Sequence, residues 1–197
     1  MDLNAEYDYS IKILLIGDSS VGKSNFIFRF IHNQFNQGHI TSTGLELKRS
    51  VIIIDNKKIQ LQIWDTVGQK KYKSVTKSLY SKVQGFIAMF DLTKGETFEN
   101  IKNSIKSIKD ECGKHIPILL VGNKNDINIR DVSNEEIKVY IMEQKINYIE
   151  TSSKTGENIR KAINMICSEI MEKNIVKRNF SFSLDSSKII ERIKKCC

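Results

Sequence analysis

The chain has 197 residues, 40% of them hydrophobic, which is enough for one ordinary domain with a substantial core. No apolar run approaches the roughly 20 residues of a membrane span, and residues 1–10 hold no signal-peptide-like apolar stretch, so the expected location is the cytosol, with reduced thiols. The net charge is +8, but residues 173–197 carry seven Lys/Arg against Asp185 and Glu191. A mildly basic body without a nucleic-acid motif excludes a nucleic-acid-binding module, and a positive tail suits an anionic membrane surface.

In chain order, Ile11–Ile16 is an apolar run broken only by Lys12, and it reads as a first strand. Gly17-Asp18-Ser19-Ser20-Val21-Gly22-Lys23-Ser24 follows, and Lys23–Gln34 reads as a helix. Strand, Gly-rich loop and helix are the context in which G-x-x-x-x-G-K-[ST] binds phosphate. The two glycines let backbone amides turn toward phosphate oxygens, Lys23 supplies charge to the β- and γ-phosphates, and the Ser24 hydroxyl suits Mg²⁺. By itself this loop indicates a nucleoside triphosphate without selecting the base.

Leu45–Ile54 and Ile59–Trp64 read as a hairpin turning at Asp55-Asn56. Asp65-Thr66-Val67-Gly68-Gln69 follows the second strand. Asp65 at a strand end reaches Mg²⁺ through water, the Gly68 amide reaches a γ-phosphate, and Gln69 orients an attacking water. A helix is predicted over Lys71–Lys82, a strand over Phe86–Phe90 and a helix over Thr97–Cys112. The strand Ile118–Val121 leads into Asn123-Lys124-Asn125-Asp126, at the carboxyl edge where open α/β sheets bind ligands. Asp126 accepts the two N–H donors that guanine offers and adenine lacks, so an unpaired acid there penalises ATP. Lys124 lies along the base, and Asn123 ties this loop to the phosphate loop. Helices over Asn134–Gln144 and Glu157–Lys173 flank a last short strand, Tyr148–Glu150, after which Ser152, Ser153 and Lys154 place backbone amides near guanine O6. Cys112 and Cys167 fall in helical segments and read as inert thiols. Alternating strands and helices make the fold class α/β, with a doubly covered, mainly parallel sheet.

With these motifs in this order, residues 10–173 resemble the Ras superfamily of small GTPases and, within it, the Rab family, as a divergent member. The resemblance implies a P-loop small GTPase fold of six mostly parallel strands and about five helices, binding GTP or GDP with Mg²⁺. Asn25 joins the nucleotide-binding set, and Phe35 matches the aromatic that packs on guanine. The first switch aligns as Ser42-Thr43-Gly44-Leu45-Glu46-Leu47, placing Ser42 at the Mg²⁺-ligand position, with Thr41 and Thr43 open by a one-residue slip. Val67 stands where the family has Ala, and Lys70 where it has Glu. The effector-facing aromatic trio becomes Leu47, Trp64 and Leu79, a more aliphatic surface. No arginine finger is present in cis, so slow intrinsic hydrolysis assisted by a GAP is expected. Cys196-Cys197 resembles the prenylated end of Rab tails, and residues 174–197 read as a basic extension. The implied partners are an exchange factor, a GAP, GTP-state effectors, a prenylation escort and a GDP-dissociation inhibitor, acting on a monomer at the cytoplasmic face of an intracellular membrane. The alternative is a guanine-nucleotide scaffold whose hydrolysis Ser42 and Val67 impair.

Overall fold

The computed structural model describes residues 7–36, 45–66 and 78–173. The predicted helix over 71–82 lies mostly outside these, as do Ser42, Val67, Gly68, Gln69, Lys70, Cys196 and Cys197. Six strands form one sheet: β1 (Tyr9–Ile16), β2 (Glu46–Ile54), β3 (Lys57–Asp65), β4 (Gly85–Asp91), β5 (Ile118–Asn123) and β6 (Asn147–Glu150), in the order β2-β3-β1-β4-β5-β6. Only β2 and β3 are antiparallel. Their two-residue turn puts Asp55 (φ 48°) and Asn56 (φ 59°) in the left-handed region, the conformation of a type I′ hairpin that these residue types tolerate.

Strand alternation divides the core into two layers. Ile11, Ile13 and Leu15 of β1 face α1 (Lys23–His32) and a helix over 159–173, here α4. Leu14 and Ile16 face α2 (Gly95–Cys112), with α3 (Asn134–Gln144) covering the same side. The described residues thus include four α-helices. Each fully buried Ile, Leu or Phe is worth about 1.5–3 kcal/mol, so the two apolar layers hold the sheet while the loops at its edge remain free for polar work. Lys12 interrupts the apolar run because its side chain is exposed, beside Gln62 of β3 in register.

Local chemistry sets the helix ends. The Ser133 hydroxyl accepts the Glu136 amide at 3.1 Å and opens α3, whereas α1 closes two residues earlier than predicted because Asn33 turns left-handed and its N–H reaches the Arg29 carbonyl. Cys167 is fully buried, which pushes its thiol up to about 12; half-buried Cys112 is raised by burial and by Glu111. Neither is poised as a nucleophile. No helix among the described residues is long and apolar enough to cross a membrane.

Candidate nucleotide-binding site

β1 pairs with both β3 and β4, so the loop after Ile16 leaves the sheet at its topological switch point. Gly17 and Gly22 have positive φ, and a Cβ at either would come within 2.3 Å of a neighbour, the Met89 carbonyl and Asn123 Nδ2 respectively. Ser20 is also left-handed (φ 65°). The loop delivers α1 with no side-chain cap and no acid in its first turn, which leaves its positive end available to an anion. Lys23 Nζ donates to the loop's own carbonyls, Gly17 at 2.9 Å and Asp18 at 2.8 Å. Ser19 is exposed and Val21 is fully buried. Asn25, the third residue of α1, has a buried Oδ1 that accepts no hydrogen bond, and Phe35 is half-buried just beyond the helix.

Burial lowers the Lys23 ammonium to about 8, against the opposing pull of Asp65 and Asp18. Between about 8 and 10.5 the unfolded chain therefore holds a proton that the folded, nucleotide-free chain has released, and stability rises with pH across that window. A bound polyphosphate reverses the preference. Nucleotide binding is expected to take up close to one proton at about pH 9 and little at pH 7. Calorimetric titration in two buffers of different ionisation enthalpy measures this uptake; a buffer-independent enthalpy at the higher pH would contradict it.

Ser24 Oγ donates to Asp65 Oδ2 at 2.6 Å, joining the first turn of α1 to the end of β3. Asp65 is only 2% exposed. A hydroxyl and a carboxylate converging beside a phosphate loop form a hard oxygen donor set, and they fit Mg²⁺. Thr66 Oγ1 donates to the Leu15 carbonyl at 2.7 Å, fixing the chain as it leaves β3 toward Gly68 and Gln69.

The base-facing loops meet this cradle through Asn123, which is 1% exposed. Its Nδ2 donates to the Val21 carbonyl at 2.8 Å; its Oδ1 accepts from Thr151 Oγ1 (3.1 Å), the Ser153 amide (3.1 Å) and Ser153 Oγ (3.2 Å). One amide thus holds three loops together. Asp126 is oriented by the Ser152 hydroxyl, which donates to Oδ1 at 2.6 Å, while Lys154 Nζ stands 3.9 Å from Oδ2. Lys124 has φ 69° and reaches back, Nζ lying 2.6 Å from Asp91 Oδ2 at the end of β4. That contact anchors its stem across the loop.

Several positioning residues carry no short motif. Arg29 of α1 donates from Nε to the Ser153 carbonyl at 3.1 Å and from a terminal nitrogen to the Lys154 carbonyl, clamping the base loop onto α1. Arg130 grips both carboxylate oxygens of Glu150 at 2.6 and 3.1 Å, and Tyr148 donates to the same carboxylate at 2.8 Å. Asn100 of α2 donates to Asp18 Oδ2 at 2.8 Å. Except for Tyr148–Glu150, two residues apart in β6, these contacts join segments distant in sequence. Leu47 and Trp64 are register partners on β2 and β3, and Trp64 packs on the core layer that contains Leu79. The three share one side of the sheet, but Leu79 is only 7% exposed and contributes more to the core than to that surface.

Comparison with known proteins agrees with this arrangement. The Ras family model matches residues 12–172. The chain is 40% identical over 166 residues to the GTP-binding protein ypt3 of Schizosaccharomyces pombe, covering 84% of this chain and 78% of that protein. It is 37% identical over 187 residues to the Ras-related protein Rab11A of Lotus japonicus (94% and 81%), and 39% identical over 178 residues to human Ras-related protein Rab-8B (90% and 86%). A phosphate loop at the switch point, an Asn-tied base loop and this extent of similarity together make the chain a member of the Ras family, in its Rab group of small GTPases.

Proposed function

We propose that this Rab-like GTPase is a membrane-anchored switch in vesicle trafficking, alternating between GTP and GDP states, with slow intrinsic hydrolysis that a GAP accelerates. The observation that carries the nucleotide part is Asn123, whose buried amide joins the phosphate loop to both base-facing loops at one sheet edge. On nucleotide binding, Lys23 exchanges two loop carbonyls for phosphate oxygens, and the amides at the start of α1 take up the remaining charge. Asp126 selects guanine, with Ser152 and Lys154 fixing its orientation. Ser24, Ser42 from the first switch and, through water, Asp65 would hold Mg²⁺, which when bound neutralises phosphate charge. Gln69 orients the attacking water, and Gly68 donates its amide to the γ-phosphate, so that segments 36–47 and 65–82 are held in the GTP state and released after hydrolysis.

Leu47 and Trp64, with Leu79 beneath them, form the effector-facing surface, read by partners only in the GTP state. An exchange factor reloads the site, and Lys70 reverses a charge that such factors contact. The domain, residues 1–173, acts as a monomer. Residues 174–197 tether it to the cytoplasmic face of an intracellular membrane through prenyl groups on Cys196 and Cys197, placed there with an escort and removed from the membrane by a GDP-dissociation inhibitor. Two lipid chains beside basic residues meet the requirement for stable anchoring.

Single-turnover hydrolysis of preloaded GTP tests the catalytic part. The expected result is slow conversion to GDP that Gln69→Leu reduces on the order of 10-fold or more, the scale of a mispositioned reactant. Undetectable turnover, unchanged by Gln69→Leu and unresponsive to a GAP, would identify a guanine-nucleotide scaffold instead.

A further inference from the structure

At the edge of the sheet opposite the nucleotide site, a cleft of about 770 Å³ opens between the start of β4, the turn entering β5 and the end of α4. Its floor is apolar, made by Val83, Ile116, Pro117 and Ile170, with the half-buried thiol of Cys112 on one wall. The end of α4 is seated firmly there: a Cβ on Gly85 would lie 2.7 Å from Ile170 Cδ1. A volume of this size and lining takes a few large apolar groups. Lys173, the last described residue, stands on its rim, and 24 residues of sequence follow it.

Within those residues, Asn179-Phe180-Ser181-Phe182-Ser183-Leu184 is the only uncharged stretch of its length that alternates strictly between polar and apolar. That period places Phe180, Phe182 and Leu184 on one side of an extended strip. The rest of the tail is basic, and on the cleft rim the two lysines, Lys114 and Lys173, outnumber the one acid, Glu172. Charge therefore disfavours the polybasic end as occupant and leaves this neutral strip. Six residues lie between Lys173 and Phe180, seven steps of chain with a reach of up to roughly 23 Å, so the strip can fold back over the rim.

We infer that Phe180, Phe182 and Leu184 dock into this cleft of their own domain. A short tether gives the strip a millimolar effective concentration, so even a weak intrinsic affinity keeps it seated. Docking is independent of nucleotide chemistry. If the membrane reading is also right, docking shortens the free tether from 24 residues to 13 and leaves Lys188, Arg192, Lys194 and Lys195 for the lipid surface.

The test uses the full chain with Cys196→Ser and Cys197→Ser, in which Cys112 is the accessible thiol and Cys167 is fully buried. The rate of Cys112 labelling by a thiol reagent is compared with that of the same chain carrying Phe180→Ser, Phe182→Ser and Leu184→Ser. Docking predicts labelling about 5-fold or more faster in the triple variant, at every protein concentration, with guanine-nucleotide affinity unchanged. Equal rates would overturn the inference. Protection that grows with protein concentration would overturn it in favour of a strip seated in a second copy. A photo-crosslinking residue at 180 supplies the complementary readout: crosslinks to 83–84 or 112–117 support docking, and crosslinks confined to the exposed β2 edge contradict it.

Discussion

Asp126→Ala is expected to weaken GTP and GDP binding on the order of 10²–10⁴-fold while leaving weak ATP binding unchanged. The carboxylate is already aimed by the Ser152 hydroxyl at 2.6 Å and flanked by Lys154. It offers two acceptor positions to the two guanine N–H donors, and a hydrogen bond to a charged group is worth about 1.5–3 kcal/mol. Removing both gives roughly 3–6 kcal/mol, at 1.4 kcal/mol per tenfold change. Because adenine uses neither acceptor, the loss falls on guanine alone and base selectivity collapses. Competition against a fluorescent guanine nucleotide reads the effect. A variant within threefold of wild type for GTP would mean that another group selects the base.

Asn123→Ala is expected to destabilise the whole domain as well as the site. The substitution strands the Val21 carbonyl and three donors, Thr151 Oγ1, Ser153 N and Ser153 Oγ, at a position with no solvent to replace the lost partner. Unsatisfied buried groups cost about 1–3 kcal/mol each, and partial relaxation brings the expected total to about 3–5 kcal/mol. For a domain of this size that corresponds to a drop in melting temperature of roughly 6–20 °C. Asn147→Ala is the control: its side chain is exposed and donates to Glu169, so a change within about 0.5 kcal/mol is expected. Thermal unfolding of the nucleotide-free proteins compares the two, and equal melting temperatures for Asn123→Ala and wild type would remove Asn123 from its central place.

What could be read in the sequence was whatever has a local cause. The Asp55-Asn56 turn and the apolar run broken only at Lys12 are each specified within a few residues, and each is present. The phosphate loop and the Asn123–Asp126 loop were legible because their chemistry needs fixed spacings, and strand order brings them to one edge. Contacts between segments far apart in sequence were not legible. Arg29 reaches across 124 positions to Ser153, and Asn100 across 82 to Asp18. Nothing in the local pattern of α1 or α2 marks these side chains, since polar residues on amphipathic helices are ordinarily solvated. Leu79 shows the same limit from the other direction: family alignment places it on the effector side of the sheet, and packing against the core covers most of it.

The guanine specificity of the cradle is read out by equilibrium competition. GTP and GDP should each displace a fluorescent guanine nucleotide from the purified chain in Mg²⁺-containing buffer, and ATP should fail to displace it at a thousandfold excess. Displacement by ATP at the same concentrations as GTP would contradict base selection by Asp126.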